Sequence, residues 1–380
     1  MKIIRNLVKY LCFRRIWKSN IRIQFRHFEK IISSNNIDER PLDIAVFKQW
    51  KRNWSRFGMR PSPLAYKIFS RYIGEDENIV PADISRNFIE PILTPTDYQP
   101  FYNDKNSFNL FIDNEDMPRV IVRSIKHHMM DEDYNIIDEK KFDDILHDLD
   151  VDQLIVKPSK DQGGHGVKMF NADGNGVFKD NDGNSLSASF LKKHYNTDFV
   201  VQKCIKQCKY LSQFNPSSVN TIRLAIYRDV NTGELHFLGA VLRIGAKDAC
   251  VDNACSGGVF IGIDKNGKLG SYVCNVNGVK SSVHNGIDFS KNDYVIPNFE
   301  SIIAFAKKID KRLPHMCLYA NDITVDENDE PKLIEVNTHS FSYWLYQFTT
   351  KPVFGDYTEE LIDFCVNEYK SVKLKQVISY

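Results

Sequence analysis

The chain has 380 residues, 42% of them hydrophobic and 12% aromatic, which is enough to bury a sizeable core in two or three lobes. Fifty basic residues against forty-nine acidic ones leave a formal charge of +1, so no global field draws in nucleic acid. No apolar run reaches the roughly 18 residues needed to span a membrane, and the eight cysteines, without a secretory hydrophobic region before them, favour reduced thiols in a cytosol over a disulfide framework.

Residues 1–30 carry nine Lys/Arg and a single acid, Glu29. Ile4, Leu7, Val8 and Leu11 recur at helical spacing while Lys2, Arg5 and Lys9 fall elsewhere, so the first dozen residues read as a basic amphipathic helix. Such a helix either docks on the rest of the protein with its charges solvated, the commoner use, or rests through residues 1–20 on an anionic membrane surface. The second case would put the protein at the inner face of the membrane. Phe47, Trp50, Trp54 and Phe57 follow a helical rhythm that predicts core packing. Pro61, Pro63, Pro81, Pro91, Pro95 and Pro100 then punctuate the chain, and the cluster at 91–100 divides a helical region, 1–99, from a main body, 100–380.

The main body opens at 103–111 (NDKNSFNLF) with a predicted helix capped by Asn103 or Asp104. A strand at Val120, Ile121 and Val122 and an acidic helix over 138–150 lead to residues 154–170, LIVKPSKDQGGHGVKMF. Here a β run ends on Lys157 and Pro158, a loop with Gly163, Gly164, His165 and Gly166 follows, and a second β run begins at Val167. Such a loop either is a plain turn or folds backbone N–H groups over phosphate oxygens while the lysine supplies a point charge. Residues 199–205 read as a buried strand. Residues 220–227 and 235–244 read as a strand pair, each with an arginine in an apolar run, Arg223 and Arg243. A buried arginine meets either an anionic ligand or a neighbouring acid. Cys204 with Cys208, and Cys250 with Cys255, lack the CxxC and histidine partners of a zinc site and read as thiols.

A helix over 297–312 delivers the chain to residues 318–337, LYANDITVDENDEPKLIEVN, a hairpin around DENDEP. With Val325 paired to Lys332, Asp322 lies opposite Glu335, and Asn337 shares the face of Glu335 because side chains alternate with period two. Opposed carboxylates ask for a compensating cation, and an all-oxygen set suits Mg2+ or Mn2+; the alternative is a solvated face with incidental acids. His339, Tyr343 and Trp344 follow, as pocket lining or as core, with core favoured for Trp344. A final helix covers 357–373.

The order of NDK, IVKPSKDQGGHGV, VVQKCI, NTIRL, LRIGAKDACVDNACSGG and ANDITV with LIEVN resembles the ATP-grasp superfamily over nearly three quarters of the chain. NTIRL, VDN with the following GG, and HNGIDF with IPNF look most like its sugar-transfer-associated, alpha-L-glutamate-ligase-related branch. The resemblance implies an α+β fold in which two lobes grip ATP, hinged near 200–206. It further implies that Lys105 and Lys157 hold phosphates under the loop 159–166, and that Gln202 with the backbone of Lys203 to Ile205 meets the adenine edge. Asp322, Glu335 and Asn337 would bind Mg2+, with Glu335 bridging two ions. Arg223 and Arg243, assisted by Asn253, would steady the γ-phosphoryl group or the acyl phosphate. Many family members carry a glutamate where Gln202 stands. The implied activity joins a small-molecule or glycan carboxylate to an amine through an acyl phosphate. The alternatives are a kinase acting on a sugar or polyol hydroxyl, and a non-catalytic ATP-binding scaffold for glycan assembly.

Overall fold

The computed structural model describes residues 2–38, 43–160, 166–174, 176–195, 198–247, 257–338 and 341–372. In chain order the strands are β1 (Val120–Ile125), β2 (His128–Met130), β3 (Gln153–Pro158), β4 (Lys168–Ala172), β5 (Phe178–Lys179), β6 (Phe199–Lys203), β7 (Thr221–Arg228) and β8 (Leu235–Ile244). They continue with β9 (Val259–Ile263), β10 (Val273–Cys274), β11 (Lys280–Ser281), β12 (Val283–His284), β13 (Ile287–Asp288), β14 (Leu318–Val325) and β15 (Pro331–Asn337).

Two antiparallel sheets carry the main body. The first has the order β2-β1-β6-β3-β4-β5. Along β3, half-buried and buried residues alternate, so one face is apolar, and Leu154 and Val156 pack there with Phe142 and Leu146 of the helix Glu139–His147 and Leu191 of the helix Ala188–His194.

The second sheet, β11-β10-β9-β8-β7-β14-β15, is covered on both sides, and β7 and β14 accordingly read as nearly continuous apolar runs. Ile222, Leu224 and Ile226 of β7 face the helix Phe299–Asp310, while Ala225 and Tyr227 face the opposite way. That opposite face packs the helices Lys2–Ser34, Ile44–Trp54 and Leu64–Ile73 from the amino-terminal region and Trp344–Thr349 and Thr358–Val372 from the other end. Trp50 and Trp54 are buried there, their indole N–H groups donating to the carbonyls of Ile79 at 2.7 Å and Glu77 at 3.2 Å.

Three elements differ from the sequence reading. The first helix runs on to Ser34 and docks through its second half, where Ile21, Phe28, Ile31 and Ile32 are buried. Residues Lys105–Leu110 form a 3-10 helix in place of an α-helix, capped by the Asp104 carboxylate on the Asn106 N–H at 3.0 Å. The Asn106 carbonyl that an α ladder would use is taken by the Arg123 guanidinium at 2.9 Å and the Tyr134 hydroxyl at 2.7 Å. In the hairpin, the Asp326 carboxylate accepts from the N–H groups of Asn328 and Glu330 and tightens the turn, so Val325 pairs with Pro331 instead of Lys332. A bulge between Asp322 and Ile323, with Ile334 as the extra residue of the opposite strand, restores Asp322 opposite Glu335.

Among the described residues no helix is long and apolar enough to cross a membrane.

Candidate active site

The register brings the acidic hairpin and the two arginines onto one sheet face. Asp322 on β14 lies between Glu335 on β15 and Arg223 on β7. Arg243 stands one strand further, on β8. The Arg223 guanidinium donates twice to the Asp322 carboxylate, Nε to Oδ1 at 2.7 Å and Nη2 to Oδ2 at 2.5 Å, and Arg243 Nη1 donates to Oδ2 at 2.9 Å. Asn337 Nδ2 adds a bond to Oδ2 at 3.2 Å and one to the Ala320 carbonyl, also at 3.2 Å.

Asp322 is 3% exposed and Arg223 9%, so the pair is a buried, bidentate one. Burial pushes the Asp322 carboxyl up, but Arg223 and Arg243 overcome it and hold the group below the usual carboxylate range. Burial likewise lowers Arg223, and Asp322 raises it by more. Part of the cation that opposed carboxylates call for is therefore supplied by the protein itself.

The Glu335 carboxylate Oε1 lies 3.4 Å from the Lys105 ammonium. Lys105 also donates its backbone N–H to the Ser159 carbonyl at 2.9 Å, just past the end of β3, so this one residue joins the first sheet to the metal-type hairpin of the second. Lys157 stands half-buried at the same strand end, close enough to Cys204 to pull its thiol down while burial pushes it up to about 11. Beyond it, Gly166 adopts φ +70°, and a Cβ there would lie 2.9 Å from Pro158 Cγ, which excludes a side chain; its carbonyl accepts from the Tyr195 hydroxyl at 2.7 Å.

Gln202 lies not in the linker, where the sequence reading put it, but on β6, paired with Val120 of β1 and Ile155 of β3, and it is buried with its amide nitrogen 3.4 Å from the Pro118 carbonyl; the linker begins after Lys203. The N–H of Lys203 is spent on the Arg119 carbonyl and that of Cys204 on Gln153, leaving Ile205 as the first backbone donor in the linker without an internal bond among the described residues. Gly163, Gly164, His165, Asn253 and His339, with Cys250 and Cys255, lie outside the described residues. Cys204, Cys208, Cys274, Cys317 and Cys365 are free thiols, and Trp344 packs edge-on against Phe260 at 5.4 Å.

One residue of this face carried no signal in the sequence. Tyr346, on the helix Trp344–Thr349, is fully buried, its ring is packed against Gly239 of β8, and its hydroxyl has no partner among the described residues. It sits in the field of Arg223, Asp322 and Arg243.

The donor set fits a hard divalent ion. Asp322 Oδ1 accepts one bond only, the Asn337 side-chain oxygen accepts none among the described residues, and Glu335 Oε2 is likewise without a partner there, so three oxygens are available from one face. The lysines at the strand end and the arginines beside it fit the phosphates of a nucleotide.

These two sheets and their connecting linker make the ATP-grasp fold, of the α+β class with a helical amino-terminal region. The chain belongs to the sugar-transfer associated ATP-grasp family, whose model matches residues 93–359. It is also similar to D-alanine--D-alanine ligase from Bacillus anthracis, at 16% identity over 75% of this chain and 71% of that one, with a TM-score of 0.38. The biotin carboxylase domain of the 2-oxoglutarate carboxylase of Hydrogenobacter thermophilus matches at 13% identity over 71% of this chain and 46% of that one, TM-score 0.42. N5-carboxyaminoimidazole synthetase from Staphylococcus aureus matches at 12% over 67% and 52%, TM-score 0.38. The chain thus spans about half the length of the last two, and these likenesses concern the fold alone. No curated protein sequence matches the chain.

Proposed function

We propose that this chain is an ATP-dependent ligase that activates a carboxylate as an acyl phosphate and passes the acyl group to an amine, the acid being carried on a sugar or glycan. The observation that carries this reading is the convergence of Lys105, Arg223, Arg243, Asp322, Glu335 and Asn337 on one sheet face beside the strand end of Lys157. The family's association with sugar transfer supports the choice of acid.

Asp322, Glu335 and Asn337 would hold magnesium, which when bound screens the charge of the phosphates. Lys105 and Lys157 bind phosphate oxygens as point charges. Arg223 is locked in place by its two bonds to Asp322 and keeps Nη1, unpartnered among the described residues, for an oxygen of the transferring group. Arg243 acts from the neighbouring strand. The acceptor carboxylate oxygen forms a bond to the γ-phosphorus as the bond to ADP breaks. The amine then attacks the acyl carbon, phosphate leaves, and the amine proton passes to solvent. Preorganised charge and position do the work, and no protein nucleophile is needed.

Incubation with ATP, Mg2+, hydroxylamine and a panel of sugar-bearing acids tests this. A hydroxamate formed in step with ADP is the expected product. ADP formed with a phosphorylated hydroxyl and no hydroxamate would replace the ligase reading with a phosphotransferase.

A further inference from the structure

The first helix, Lys2–Ser34, carries apolar residues at helical spacing in its first dozen positions as well as in its docked second half. Its second half is fastened by the buried Ile21, Phe28, Ile31 and Ile32, by Gln24 Nε2 donating to the Tyr343 hydroxyl at 3.2 Å, and by His27 Nε2 at 2.8 Å from the Val276 carbonyl. Toward the amino terminus, Leu11 is 54% exposed, and Arg15 and Ser19, each four residues further on along the same side, are exposed as well. In the sequence, Ile4, Leu7 and Val8 precede Leu11 by seven, four and three positions, the spacing of a single helical stripe. At 3.6 residues per turn, this stripe is turned by roughly a quarter of the circumference from the docked one.

The same segment is one-sided in charge. Lys2, Arg5, Lys9, Arg14, Arg15 and Lys18 lie within its first twenty residues, and the first acid along the chain is Glu29. A second copy of the helix would bring like charges together, and a nucleic acid would answer the charges but offer no layer for Leu11 and its stripe. An anionic bilayer surface answers both, with phosphates for the bases and an acyl boundary for the apolar side chains.

We infer that residues 2–20 form an arm, about 28 Å long at 1.5 Å per residue, that docks on an anionic membrane surface. Because the base of the arm is bonded to the buried Tyr343, docking would hold the folded body at a set distance from the bilayer. If the ligase reading stands, that placement suits an acceptor anchored in the membrane; the docking itself rests on the arm alone.

The test is co-sedimentation of the full chain with vesicles of phosphatidylcholine mixed with phosphatidylglycerol and with vesicles of phosphatidylcholine alone. The inference expects binding to the mixed vesicles at least tenfold above the neutral ones, falling steeply as salt is raised. It also expects binding to drop to the neutral level in Leu7→Glu/Leu11→Glu and, independently, in Lys2→Ser/Arg5→Ser/Lys9→Ser, with thermal unfolding of both variants unchanged. Should the first variant fail to fold, the second carries the test. Equal binding to both vesicle types, binding untouched by either variant, or a preference for duplex DNA or a self-associated dimer in place of vesicles would each overturn it. None of these readouts involves nucleotide, so the ligase reading can fail while this one survives, and the reverse.

Discussion

Asp322 and Arg223 face each other across β14 and β7 and share two hydrogen bonds, at 2.7 and 2.5 Å, in a setting that leaves neither more than 9% exposed. The carboxylate expected to face a metal is thus first the anchor of an arginine. Removing one partner of such a pair strands the other charge in the interior, which costs about 3–5 kcal/mol. Arg223→Met should therefore lower the unfolding free energy by that order in urea titrations, and adding Asp322→Asn should recover a large part of it. Equal stability of wild type and Arg223→Met would show that the pair does not exist as described.

The pair also sets a pH dependence. The folded carboxyl of Asp322 lies below its ordinary value of 3.8, so its contribution to stability is complete above that value and is lost as pH falls through the lower, folded one. Urea midpoints measured from about pH 5 down to about pH 2 should decline less steeply in Asp322→Asn than in wild type.

A second acid works in the opposite direction. Asp83 is 2% exposed, accepts from the Ser62 N–H at 2.9 Å through one oxygen and leaves the other without a partner among the described residues, and burial pushes its carboxyl up to about 6. The folded state then holds a proton that the unfolded state releases, so this group's contribution falls as pH rises from its ordinary value of 3.8 to about 6. Asp83→Asn keeps an acceptor for Ser62 and should remove that slope, a difference visible in thermal midpoints taken across the same range.

Gly166 is the one glycine of the phosphate-type loop whose conformation is described. With φ at +70° and Pro158 Cγ 2.9 Å from where a Cβ would sit, Gly166→Ala must shift the loop's base. The expected result is ATP binding weakened by roughly tenfold, with a loss of about 1 kcal/mol or more in stability from the left-handed backbone. Calorimetric titration of the variant with ATP and Mg2+ checks the first part, and urea unfolding checks the second.

Local pattern carried much of this architecture. Period-two alternation was enough to put Asp322 against Glu335 and Asn337 beside them, because those residues sit on two strands joined by one short turn. The bulge was not legible: Asp326 tightens the turn through bonds that any DENDEP loop could make or omit. The arginine anchors were left as a choice between anion and acid, since they precede Asp322 by 99 and 79 residues and only the register of three strands joins them. Lys105 was placed by resemblance, but its bond to Ser159 and its reach to Glu335 depend on how two sheets meet. The 3-10 geometry was not legible because Arg123 on β1 and Tyr134 in the turn after β2 take the carbonyl of Asn106. Tyr346 looked like any core aromatic, and only its unpartnered hydroxyl near the charged rank sets it apart.

The most direct test of the account is a thermal-shift titration with ATP, ADP and GTP, with and without Mg2+, on wild type and Glu335→Ala. A bound nucleotide raises the midpoint by mass action, by about 2.7 kcal/mol of stabilisation at a hundred times its Kd. The account predicts a rise with ATP that requires Mg2+ in the wild type and is lost in Glu335→Ala, where the carboxylate beside Lys105 is gone. No shift with any nucleotide, or the same Mg2+-dependent shift in both proteins, would contradict it.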